Sequence, residues 1–142
     1  MKHQRSIVIL LANGFVEQET VACVEKMRAN NLSVLLVGVS AGLVTGQHGL
    51  KIKPDYSLEE IKSSPDLPQM IIFPNGIQTH LSTDPRIHRL VEKIINDNGI
   101  VAAMSTAEPF ISEYAGDGQR PFQRQGGDTA VAFVERLVDM LV

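Results

Sequence analysis

Four mostly apolar runs recur at wide intervals along the chain: Ile7–Ala12, Ser33–Val39, Met70–Phe73 and Ile100–Met104. They are nearly continuous Ile, Val, Leu, Met, Phe and Ala, with no alternation of polar and apolar positions. A short unbroken run of this kind, bounded by turn residues, is the pattern of a strand buried on both faces. Asn13-Gly14 stops the first run and Pro74-Asn75-Gly76 stops the third.

Between these runs the period changes. Over residues 17–29, Val21, Val24 and Met27 recur at helical spacing, and Asn30-Asn31 is the stop. Asp84 is an N-cap and Pro85 suits the first helical position. Ile87, Leu90, Val91, Ile94 and Ile95 then mark one face of a helix that Asn98-Gly99 ends. A closing helix is expected after an Asp128 cap, with Ala130, Phe133, Val134, Leu137, Val138 and Leu141 facing inward. Smaller features fill the rest. Leu43–Thr45 and Leu50–Lys53 flank Gly46-Gln47-His48-Gly49 and predict a hairpin. Ser57-Leu58-Glu59-Glu60 is a capping box that opens a short helix. Residues 107–114 predict another short helix, and the polar, glycine-rich stretch Gly116–Gly127 predicts a loop.

Strands alternating with helices argue for an α/β protein, a three-layer sandwich with a mostly parallel sheet. Residues 1–142 form one domain on this reading. Composition sharpens it: aromatics are 5% of the chain and tryptophan is absent, so the core is aliphatic, which favours a helix-flanked sheet over a β-sandwich. The net charge of −3 is spread along the chain, without the clustered Lys and Arg of a nucleic-acid surface. The apolar opening run is too short for a signal-peptide core or a membrane span, so a cytoplasmic protein without membrane contact is expected. The lone Cys23 rules out an internal disulfide, suits a reducing compartment, and sits among apolar neighbours expected in the core. No His-x-x-x-His or paired-cysteine spacing points to a metal, and no motif points to a cofactor.

In open parallel sheets, ligands bind beyond the carboxyl ends of the strands. Those ends are Asn13–Glu19, Pro74–His80 and Ser105–Glu108. Ser105 stands between a strand and an expected helix, where a nucleophile elbow projects its side chain. Its surroundings, Met104-Ser105-Thr106, lack the Gly-x-Ser-x-Gly pattern. A serine nucleophile needs a base. His3, His48, His80 and His88 all precede it. His48 belongs to the hairpin turn and His88 to the surface of a helix, which leaves His80 as the histidine placed to reach the site. Plainer roles compete at each position: Asn13-Gly14 as a turn, Glu17 and Glu19 as acids favoured at a helix start, Ser105 as a cap.

Five segments, in order, resemble the DJ-1/PfpI (ThiJ/PfpI) superfamily. Ile7–Thr20 is similar to the family's first strand and acidic turn. Leu50–Glu60 is similar to the family's G-x-x-V-x-x-D-x-x-L segment, and Ile71–Gly76 to a strand ending in Pro-Gly-Gly. Val101-Ala102-Ala103-Met104-Ser105 is similar to the strand that leads to the reactive cysteine, and Gln125–Phe133 to the closing glycine-rich turn and last helix. The resemblance implies a flavodoxin-like, class I glutamine amidotransferase-like fold. It implies Glu19 as the glutamate beside the nucleophile, Ser105 at the nucleophile position, and Asn75 with Gly76 as the donor loop. Thr106 stands where some members carry a histidine, and a homodimer is implied. Three departures bear on function. Serine replaces cysteine at 105, and its hydroxyl is not a thiolate at neutral pH. Asn75 replaces a glycine. The segment between Gly116 and Gln125 is shorter than in the family. Two functions follow as expectations: a non-catalytic member that binds a small molecule or a partner, or an amidase-, peptidase- or glyoxalase-like enzyme using Ser105 with Glu19 or His80.

Overall fold

The computed structural model describes residues 5–61, 66–81, 83–115 and 122–142, with backbone alone at 113–115. Strand β1 (Ile7–Leu11) leads into helix α1 (Glu17–Ala29) and strand β2 (Val34–Gly38). Two short strands, β3 (Val44–Thr45) and β4 (Lys51–Ile52), form an antiparallel hairpin. Then come β5 (Tyr56–Ser57), α2 (Leu58–Ile61), β6 (Met70–Phe73), α3 (Pro85–Asn96), β7 (Ile100–Ala103), α4 (Glu108–Ala115), β8 (Phe122–Arg124) and α5 (Ala130–Leu141). One-turn 3-10 helices precede α3 and α4 at Gln78–His80 and Ser105–Ala107.

The six-stranded sheet runs in the order β5-β2-β1-β6-β7-β8, and every pair is parallel. β1 lies between β2 and β6, with Ile9 opposite Leu36 on one side and Ile72 on the other. From β1 the chain steps one way to β2; from β6 it steps the other way to β7 and β8. Right-handed crossovers therefore place α1 on one face and α3 and α4 on the opposite face. α5 packs beside α1. All residues of β1, β6 and β7 are buried, as the unbroken apolar runs require.

Several expectations hold at residue level. The capping box closes reciprocally: Ser57 N donates to Glu60 Oε1 at 2.9 Å, and Glu60 N to Ser57 Oγ at 3.3 Å. Asp84 Oδ1 accepts from Arg86 N at 2.9 Å, with Pro85 in the first turn of α3. Cys23 is buried, and burial pushes its thiol up to about 12.

Others are corrected. The expected loop Gly116–Gly127 contains β8; residues 116–121 lie outside the described residues, but Phe122–Arg124 pairs with Val101–Ala103 as the sheet edge. Its ring Phe122 is buried, and the single turn-rich stretch hid a three-residue strand. β5 was also illegible, because two residues carry no period. Thr129, not Asp128, caps α5 by accepting from Ala132 N at 3.1 Å; Asp128 pairs with Arg136 at 3.0 Å instead. On α1 the buried face is Thr20, Cys23 and Met27, whereas Val21 is 43% exposed. Only two of the three expected apolar positions turn inward, because spacing of three residues in a row drifts around the helix. His88 is half-buried, its ring edge-on to Phe110 at 5.3 Å, rather than on the surface.

Candidate functional site

The carboxyl ends of β1 and β6 meet where the chain direction reverses across the sheet, the switch point at which α/β folds bind ligands. The two loops approach closely. A Cβ on Gly14 would stand 2.9 Å from the Gly76 carbonyl oxygen, and one on Gly76 would overlap the Gly14 carbonyl oxygen. Both residues are in the left-handed region, with φ +96° and +95°. Val16 N donates to Asn75 O at 3.0 Å and fixes the β6 loop against the start of α1.

Asn75 then joins three elements. Its Nδ2 donates to Glu19 Oε1 on α1 at 2.7 Å. Its Oδ1 accepts from Thr106 N at 2.9 Å and from Thr106 Oγ1 at 3.3 Å. Thr106 Oγ1 in turn accepts from Gly76 N at 3.0 Å. The amide orientation is set chemically: the reverse would place the Asn75 oxygen against a carboxylate and its NH2 against an N–H. So Glu19, Asn75, Gly76 and Thr106, all candidates from the sequence, form one closed network.

Ser105 is adjacent to it and exposed. Its backbone N–H donates to Gln125 Oε1 at 3.0 Å, and Gln125 Nε2 donates to Asp128 O at 3.0 Å. Gln125 is buried and clamps the serine turn onto the end of β8. Among the described residues no side chain hydrogen-bonds the Ser105 hydroxyl. His80 is held elsewhere, its Nε2–H donating to Asn13 O at 3.1 Å. A carbonyl only accepts, so this bond puts the ring proton on Nε2.

Sequence reasoning missed two partners. Gln125 carries no motif of its own; its role depends on β8 lying beside β7. Glu17, read only as an acid at a helix start, reaches the hairpin: its Oε2 accepts from His48 N at 2.6 Å and Leu50 N at 3.2 Å. His48 Nδ1 lies 3.4 Å from the other oxygen. The hairpin also covers the β1 loop, with Thr45 N donating to Asn13 Oδ1 at 3.0 Å and Gly14 N to Thr45 O at 2.9 Å.

Partial burial raises the Glu17 carboxyl, but the backbone amides of Glu17, Leu50 and His48 outweigh it and leave the group below its ordinary value of 4.5. A carboxylate with a depressed folded value contributes stability that is present above its unfolded value. That contribution is lost as pH falls through the folded value. The melting temperature of the protein is therefore expected to fall on acidification below about pH 4.5. Glu17→Gln is expected to flatten that part of the profile, as thermal melts across the acid range would show; an unchanged slope would remove Glu17 as the hairpin's tie.

A groove of about 520 Å³ runs between α1 and α5, lined by Glu19, Ala22, Lys26, Ala130, Val131 and Val134 among others. Among the described residues no group of three His, Cys, Asp or Glu side chains could hold a metal. No helix among them is long and apolar enough to cross a membrane.

A parallel sheet with its switch point between β1 and β6, and a serine turn at the end of β7, defines the flavodoxin-like α/β class. Within it, the chain belongs to the DJ-1/PfpI family, which its sequence matches over residues 5–118. No curated protein matches the sequence. Among solved structures, DJ-1beta of Drosophila melanogaster is similar at 17% identity and a TM-score of 0.80, covering 98% of this chain and 91% of its own. A DJ-1 superfamily protein of Salmonella typhimurium is similar at 16% identity and a TM-score of 0.79, covering 96% and 90%. Schizosaccharomyces pombe DJ-1 is similar at 16% identity and a TM-score of 0.77, covering 96% and 92%. At these identities the likeness is one of fold.

Proposed function

We propose that this chain is a DJ-1/PfpI fold that works by binding a small molecule or a partner, without covalent chemistry at Ser105. The observation that carries this is the closed network beside the serine. Stabilising an oxyanion requires amides aimed at empty space, each worth about 100- to 1000-fold in rate. The amides of Gly76 and Thr106 instead donate to Thr106 Oγ1 and Asn75 Oδ1. Activating a serine requires a base in contact with its hydroxyl. Glu19 is engaged by Asn75 and His80 by Asn13. The groove that Glu19 borders has a volume suited to a small molecule. We take residues 1–142 as one domain. The lone buried cysteine suits a reducing, cytoplasmic setting, and the family resemblance suggests a homodimer.

The test is reaction with a fluorophosphonate serine probe, alongside Ser105→Ala. The expected result is no labelling, and a Ser105→Ala protein with the melting temperature and ligand-binding profile of the wild type. Stoichiometric labelling that Ser105→Ala abolishes would establish the hydrolase reading, with Ser105 as nucleophile beside Glu19.

A further inference from the structure

The closed network has a chemical identity of its own. Asn75 presents a primary carboxamide, and everything that touches it is complementary to that group. The carboxylate of Glu19 takes an amide N–H at 2.7 Å. Thr106 gives its backbone N–H to the amide oxygen at 2.9 Å and its hydroxyl at 3.3 Å. The Thr106 hydroxyl is aimed by Gly76 N, which donates to its oxygen at 3.0 Å. The loop does not depend on this side chain for its course. Its backbone is held separately by Val16 N on Asn75 O and by the close passage of Gly76 against Gly14.

We infer that the Asn75 side chain is a tethered ligand, and that the space its amide fills between Glu19 and Thr106 takes an external molecule bearing a primary carboxamide when the tethered one leaves. This rests on the reading of the site as a binding site. The chemistry selects among related groups. A carboxylate would bring a second negative charge against Glu19, which is unfavourable at this distance. An ester or a fully substituted amide has no N–H for Glu19, so the charge-assisted hydrogen bond to this half-buried carboxylate would be lost. A primary carboxamide satisfies both ends. Asn75 thereby acts as an autoinhibitory contact, and the concentration of competing ligand decides whether the site is open.

Chemical rescue tests this directly. Asn75→Gly removes a group equal in size to acetamide. Acetamide is expected to raise the melting temperature of Asn75→Gly saturably. In the wild type the same response should need about ten-fold more acetamide or a larger excess, because the tethered group competes at a high effective concentration. Acetate and N,N-dimethylacetamide should raise the two proteins' melting temperatures no differently from each other. Adding Glu19→Ala to Asn75→Gly should abolish the acetamide effect. Asn75→Ala with formamide, which keeps the Cβ, is the second variant, and refolding yield with and without the amide gives the same contrast if either variant is unstable alone. Equal responses to acetamide, acetate and dimethylacetamide would overturn the inference. So would equal responses of wild type and variant, or failure of both variants to fold even in amide. The serine probe separates the two proposals. Failed rescue with an unreactive Ser105 removes the tethered ligand and leaves the binding reading. Intact rescue with a labelled Ser105 does the reverse.

Discussion

Gly76→Ala is expected to destabilise the protein by about 2–6 kcal/mol, the sum of left-handed backbone strain and overpacking. The residue has φ +95°, which a side chain rarely tolerates, and its new Cβ would overlap the carbonyl oxygen of Gly14. That oxygen belongs to backbone, on a loop held by the hairpin and by Asn75, so it has little room to yield. Urea denaturation measures the loss. Gly127→Ala is the control: its Cβ would meet nothing within 4 Å and its φ is outside the left-handed region. It should fall within about 0.5 kcal/mol of the wild type. A Gly76→Ala protein as stable as Gly127→Ala would mean that the two loops are not packed as described. Because Gly76 N also holds Thr106, the same variant should disturb the Thr106 amide resonance, which Gly127→Ala should leave in place.

Phe73→Ala should cost about 3–5 kcal/mol, the usual range for deleting a buried aromatic ring. Phe73 is fully buried at the end of β6, one residue before the loop that carries Asn75, and its ring is edge-on to Phe110 at 5.3 Å. Phe110→Ala should also destabilise. The double variant should lose less than the two single losses added, because the rings share a contact that either deletion removes. Strict additivity in the denaturation midpoints would show that the two rings do not stabilise one another.

Much of the architecture was legible because it is local. β1, β6 and β7 are unbroken apolar runs, and a strand covered by helices on both faces needs that composition and little else. α3 carries its stripe, its Asp84 cap and its Pro85 start within a dozen residues. What failed was short or shared between elements. β5 and β8 have two and three residues, too few to show a period, and they are strands only because β2 and β7 lie alongside them. The cap of α5 fell to Thr129 rather than Asp128, since Asp128 is drawn to Arg136 eight residues further on, a contact that spacing alone does not rank.

The site divides in the same way. By itself the sequence determined the class of fold and the three loops that end at the carboxyl edge of the sheet. It also singled out the residues on them that are candidates for a site: Glu19, Asn75, Gly76, His80, Ser105 and Thr106. Only the tertiary structure decided what those residues do to one another. It turned Asn75 onto Glu19 and Thr106, gave His80 to Asn13, set Gln125 behind Ser105, and made Glu17 the tie of the hairpin. The reason is physical. Strands and helices follow from periodic burial and backbone preference within one segment. A hydrogen bond between residues 19 and 75, or 75 and 106, exists only after the sheet has ordered its strands and brought those loop ends within about 3 Å.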